Sequence, residues 1–315
     1  MTKLHGAVRV LLILWVVVTV VFVTLRLTPG DPAELLLGPT AGRQDNAERL
    51  AEIRAAYGLD KPIAVQYGIF LGNVLTGDLG VSNRSQRPVI EMITTAAPVT
   101  IWLILLSVAV AVPMSILLGT LAAERRGTPR DVAIRTAATL FMAIPSFWLG
   151  LLLLKWFASG LRWFPSRGYE SPLVDFPAFA AHMTLPVLTL AVFLVGSFTR
   201  FVYTETADTL QRDYITVGRA MGLSRWALLF RFSAKNSLTP LIIVVGVEIG
   251  TLIGGAVIVE EVFGLPGLGR LLLSAVMARD YPVVQGTVLV ITLAVILINL
   301  MSEWLYRLIT PQARA

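Results

Sequence analysis

"MITTAAPVTIWLILLSVAVAVPMSILLGTLAA", Met92 to Ala123, carries no charge between Glu91 and Glu124. A helix needs about 20 mostly apolar residues to cross the hydrocarbon core of a bilayer, and this run exceeds that. Five further runs read the same way. They are Val10–Leu25, Thr136–Leu154, Phe176–Thr199, Asn236–Val259 and Tyr281–Ser302, and only Glu248 interrupts the fifth of these six. The pattern predicts an all-α integral membrane protein with six transmembrane helices. Composition agrees: 15% of the 315 residues are charged and 56% are hydrophobic, with a mean hydropathy of +0.74. Soluble domains average about 25% charged.

The chain has no cysteine, which excludes disulfides and thiolate metal sites, and its two histidines argue against a His-rich metal site. The net charge of +6 would suggest nucleic acid in a soluble protein. Here its distribution across the spans matters more, and no nucleic-acid partner is expected. With the N-terminus inside, the inner termini and short loops hold 14 Lys and Arg, from Lys3 and Arg9 through Arg125 and Arg219 to Arg314. The short outer loops hold five: Lys155, Arg162, Arg167, Arg270 and Arg279. Both termini are therefore expected in the cytoplasm. The first span has a basic start but runs into "RLTPGDP" without a small-x-small cleavage site, so it is read as an anchor that stays.

Three segments are expected: span one over 1–27, an external segment over 28–97, and a core over 98–310. In the external segment, "DNAERLAEIRAAYG" reads as a helix with Asp45 as N-cap and Glu48 three residues on. Leu50, Ile53 and Tyr57 share a face and Gly58 ends it. "LDKPIAVQYGIFLGNVL" follows as a second amphipathic helix, with Pro62 near its first turn. "TGDLGVS" reads as a turn. "FPSRGYESPLVDFP", Phe164–Pro177, is an outer loop. Glu260–Pro282 joins spans five and six, and Leu271, Leu272, Ala275 and Val276 suggest a short helix there. No internal repeat stands out.

Catalytic chemistry is not legible. "GPTAGR", Gly38–Arg43, lacks the lysine and spacing of a phosphate-binding loop, and "GLPGLGR", Gly264–Arg270, has no strand before it. Glu260 and Glu261 are adjacent, so on a helix they point about 100° apart rather than at one substrate. His182 reads as an interfacial residue, and Lys155 as one that snorkels to the outer interface.

The polar signal concentrates at "GRAMGLSRWALLFRF", Gly218–Phe232. It reads as helix, turn, helix, with Gly222 supplying a left-handed turn. Tyr214, Val217 and Met221 stand at helical spacing before the turn; Trp226, Leu229 and Phe230 stand at i, i+3, i+4 after it. Composition alone leaves two surfaces open for this hairpin: anionic lipid, or a soluble partner.

Residues 214–242, "YITVGRAMGLSRWALLFRFSAKNSLTPLI", resemble the EAA loop of permease subunits of bacterial ABC importers, with Gly222 on that loop's signature glycine. "TPGDP" (28–32), "YGLDKPIAVQY" (57–67), "GDLGVS" (77–82), "IPSFWLG" (144–150), "HMTLP" (182–186), "VFGLPGLGRLLLSAV" (262–276) and "RDYPVVQG" (279–286) resemble the peptide/nickel branch in the same order. The likeness is to the first of its two permease subunits. It implies the type I importer permease fold in a bacterial cytoplasmic membrane. It also implies a second homologous permease, two ATPase subunits inside and a substrate-binding protein outside. ATP and Mg would be bound by the ATPases, with no cofactor in this chain. Arg219, Ala220, Met221, Gly222, Leu223, Ser224 and Arg225, within a loop over 204–240, would dock an ATPase. The substrate implied is a di- or oligopeptide. Nickel chelates, glutathione or oligosaccharides are the alternatives. Met221 replaces the family's usual lysine, Phe232 a frequent histidine and Lys235 an arginine, and the tail "ITPQARA" lacks an Asp-Pro-Arg-like ending.

Glu248 stands where that family usually has an uncharged polar residue. A carboxylate in mid-span costs about 2.5–3.5 kcal/mol and rarely faces lipid. Two roles fit: pairing with a polar group on a neighbouring helix, or lining the pathway for a cationic part of the substrate. Asn299 is a weaker pathway candidate, and bonding across helices is its ordinary role. An ion-coupled secondary transporter working alone is the reading from another class. It would be expected to show an inverted repeat or matching broken helices.

Overall fold

The computed structural model describes residues 12–23, Glu48, Leu50, Ala51, Arg54 and 60–309, without the side chains of 234–239. Among these residues the fold is helical, and its β pairing is one antiparallel bridge between Val81 and Pro88. The elements are α1 (Leu12–Val23), α2 (Ile63–Thr76), α3 (Val89–Glu124), α4 (Pro129–Ala143), α5 (Ser146–Gly160), α6 (Phe176–Leu210), α7 (Asp213–Ala220), α8 (Lys235–Phe263), α9 (Leu268–Met277) and α10 (Tyr281–Ile309). The last turns of α5 (Leu154–Gly160) and a stretch over Ala227–Ala234 are wound as π-helix.

Four of these helices, α3, α6, α8 (from Pro240) and α10, are long and apolar enough to span a bilayer. Each contains an expected span and runs past its charged boundary, because charges mark where a membrane ends and not where a helix must. The third expected span is not a single helix. α4 and α5 meet at 96°. Ile144 and Pro145 between them are both extended, at ψ 120° and 129°. Proline removes an N–H and biases the residue before it toward extended backbone. Of the expected first span, α1 is the described part. The expected N-cap Asp45 and the residues Ile53, Tyr57 and Gly58 lie outside the described residues; Glu48, Leu50, Ala51 and Arg54 are helical. α2 starts directly after Pro62 and ends at Gly77 in left-handed backbone.

The chain divides into two compact units, 1–97 with 271–294, and 98–270 with 295–315; α3, α9 and α10 contribute residues to both. In the first unit, Phe22 of α1 meets Tyr67 edge-on at 5.3 Å, and Thr19 Oγ1 lies 2.6 Å from the Tyr67 hydroxyl. Buried Asp280 organises the segment before α3: it accepts from Ser82 Oγ at 2.5 Å and from Asn83 N–H at 3.0 Å. That contact explains why "GDLGVS" and "RDYP" both carry polar residues. In the second unit, α6 is the central helix and packs on α4, α5 and α8. Phe198, Leu194, Val202 and Leu190 are among its buried side chains.

Candidate functional site

The backbone of the hairpin over 218–232 forms as its residues dictate. Gly222 has φ +82°, a left-handed conformation open to glycine without strain. Leu223 N–H bonds back to the Gly218 carbonyl at 3.1 Å, closing the end of α7. Ser224 then starts the next helical stretch: its Oγ accepts from Ala227 N–H at 3.2 Å, as an N-cap hydroxyl does.

The buried faces differ from those the spacing predicts. α7 buries Ile215 and Gly218, while Tyr214, Val217 and Met221 are exposed, Met221 at 78%. After the turn, Leu228 and Leu229 are buried, whereas Phe230 and Trp226 are exposed and stack on each other at 5.6 Å. The stretch 227–234 is wound as π-helix, so a spacing of 3.6 residues per turn does not describe its inward face. The result is an exposed surface of Met221, Leu223, Trp226 and Arg225 around the Gly222 turn.

Beside it lies an open cleft of about 550 Å³ whose walls include Glu124, Arg126, Gln211, Arg219 and Arg225. Glu124, the last residue of α3, holds Arg225 Nε at 2.7 Å and faces Arg130 at 3.8 Å. Asp131 accepts the Gly127 N–H at 2.9 Å, which fixes the turn between α3 and α4.

Glu248 is half-buried on α8. Its Oε1 accepts from Ser197 Oγ of α6 at 2.8 Å. Its Oε2 lies 3.0 Å from Thr251 Oγ1, whose proton is shared with the Glu248 carbonyl at 2.8 Å. Asn299 is exposed on α10, and no hydrogen bond joins it to Glu248 among the described residues. Lys155 is exposed, and His182 is half-buried under Gly168.

One polar centre was not legible in the sequence. Glu260 is 0% exposed. It accepts from Thr100 Oγ1 at 2.6 Å and from the backbone N–H of Arg270 at 2.9 Å, and Gly269 N–H also bonds to it. Thr100 Oγ1 in turn accepts the Leu268 N–H at 2.8 Å. A carboxylate and a hydroxyl thus satisfy the free donors in the first turn of α9. A Cβ on Gly267 would fall on the Glu260 carboxylate, and one on Gly269 would meet the Val257 backbone at 2.6 Å. The glycines of "GLPGLGR" therefore serve a buried acid, Glu260, while its neighbour Glu261 pairs with the Arg270 side chain at 3.3 Å. Among the described residues no three His, Asp or Glu gather as a metal site.

Comparison with known proteins places the chain. The family model "Binding-protein-dependent transport system inner membrane component" matches residues 115–315, and the model of that family's N-terminal membrane component matches residues 1–104. A Brucella abortus (strain 2308) protein, provisionally named a peptide transport system permease protein, is 38% identical over 303 residues, 96% of this chain and 95% of its own. Glutathione transport system permease protein GsiC of Pectobacterium atrosepticum is 39% identical over 313 residues, 99% of this chain and 97% of its own. A solved amino acid ABC transporter aligns at a TM-score of 0.48 with 15% identity, covering 71% of this chain and 94% of that one. The chain belongs to the family of inner membrane components of binding-protein-dependent transport systems. It is an all-α, multi-pass ABC importer permease of the peptide branch, working with other components of such a system.

Proposed function

We propose that this chain is the translocation subunit of an ATP-driven importer of di- or oligopeptides in a bacterial cytoplasmic membrane, with both termini inside. It pairs with a second homologous permease to form the pathway. Two ATPase subunits dock inside, binding the ATP and Mg and doing the hydrolysis, and a binding protein delivers substrate outside. The segment 28–97 faces outward, and the core over 98–310 carries the docking loop 204–240. Peptide is favoured by the names of the relatives; glutathione is itself a tripeptide and falls in the same chemical class.

The observation that carries the docking role is the exposed surface around Gly222. Arg219, Ala220, Met221, Gly222, Leu223, Ser224 and Arg225 sit at or beside a tight left-handed turn. The large apolar side chains Met221 and Trp226 point away from the chain, at 78% and 60% exposure. Apolar and cationic groups on a rigid turn suit a protein groove.

Gly222→Glu tests this. A glutamate there is strained by the positive φ and places a charge in the contact. The permease is expected to insert normally but to lose its ATPases on purification. ATP-driven uptake by Gly222→Glu vesicles at the native rate would overturn the docking role.

A further inference from the structure

We propose that Glu124 is the joint that carries ATPase closure from the docking loop to the second span, through its ion pair with Arg225. The proposal rests on the docking role of residues 219–225.

Glu124 ends α3, the longest of the helices that span the membrane. Its side chain is only 7% exposed, while Arg225, three residues past the Gly222 turn, is 58% exposed. One carboxylate oxygen takes the Arg225 Nε at 2.7 Å and the other faces Arg130 at 3.8 Å, so the first contact is the hydrogen-bonded one. A carboxylate so nearly buried is costly to strip of its hydrogen-bonded partner, and pulling Arg225 away would leave it only the longer Arg130 contact. The loop and the inner end of α3 are thus bound to move together. The backbone packing of the loop runs to α6 and α8. The ion pair ties the loop directly to α3, which also packs on α6 at Gly119 and whose Thr100 lies at the buried Glu260 centre. Glu124 stands outside the docking residues, so its role separates from theirs. It is a positioning residue that acts through Arg225.

The test is a double-mutant cycle in the full importer, reconstituted in lipid vesicles with its second permease, ATPases and binding protein. Glu124→Gln, Arg225→Gln and the double variant are compared for ATPase retention, basal hydrolysis, stimulation by substrate-loaded binding protein and uptake. Glu124→Gln is expected to retain its ATPases and basal hydrolysis. Stimulation and uptake are expected to fall about tenfold, a coupling of ordinary allosteric size. The double variant is expected to lose no more stimulation than Arg225→Gln alone, because a pair can be broken only once. Native stimulation in Glu124→Gln, or effects that multiply in the double variant, would overturn the joint. So would loss of the ATPases from Glu124→Gln, since the pair would then shape the docking surface itself. Gly222→Glu, run alongside, reports on docking separately: if it keeps its ATPases, the docking reading fails whatever Glu124 does.

Discussion

Glu248 is an acid in mid-span with both oxygens engaged, yet it is not fully buried. Pairing with a neighbouring helix and access to a pathway, the two roles its sequence position allowed, are therefore compatible. Ser197 donates to Oε1, which orients the carboxylate. If it meets the cationic end of a substrate, Glu248→Gln keeps the bond to Ser197 and removes the charge. Assembly is then expected to be unchanged, while uptake of substrates with a free amino group falls about tenfold, the equivalent of about 1.4 kcal/mol. Uptake by purified, reconstituted complexes measures it, and an unchanged rate and substrate range would remove Glu248 from the pathway. Gly222 was legible because its left-handed turn is a local property of glycine. Glu248's partner was not, since Ser197 is 51 residues away in sequence.

At the scale of elements, the connection before α9 depends on one acid. Glu260→Ala strips the acceptor from the Arg270 and Gly269 amides and from Thr100. The cost is expected to be about 3 kcal/mol, from buried donors at about 1–3 kcal/mol each. Gly267→Ala should lower stability as well, by displacing the carboxylate. Thermal unfolding of the detergent-purified protein reads both, and unchanged midpoints would contradict the capping role. The break between α4 and α5 teaches a different lesson. Pro98, Pro113, Pro186 and Pro240 all lie inside continuous helices, while Pro145 ends one. In a membrane, neighbouring groups can satisfy the carbonyl that a proline frees, so proline alone does not mark a break. The π winding at 227–234 was hidden for a related reason. Apolar spacing assumes 3.6 residues per turn, and the π-wound stretch does not keep that period: Leu228 and Leu229 are buried and Phe230 is exposed.

For the whole molecule, orientation is the property that every functional statement needs. The chain has no native cysteine, so single cysteines report cleanly. Arg84→Cys lies in the segment proposed to face outward and Met221→Cys on the turn proposed to dock the ATPase, both exposed. A membrane-impermeant maleimide is expected to label position 84 in intact spheroplasts and position 221 only after the membrane is opened. The reverse pattern would overturn both the orientation and the docking surface. The expected orientation rests on the positive-inside bias of 14 against five.

The membrane class, the position of most spans and the turn at Gly222 were determined by sequence alone. Each follows from a local quantity: the charge-free length, the transfer cost of a charge and the backbone freedom of one glycine. The family could also be read there, because its motifs are contiguous. Which proline breaks a span, which face of the inner hairpin is buried, and what Glu124, Glu248, Glu260 and Asp280 hold were decided only by tertiary structure. Each of those four acids is answered by a donor far along the chain: Arg225 for Glu124, Ser197 for Glu248, Thr100 for Glu260 and Ser82 for Asp280. A buried charge is stable only where the fold brings such donors to it, and residue order within one helix does not show which will arrive.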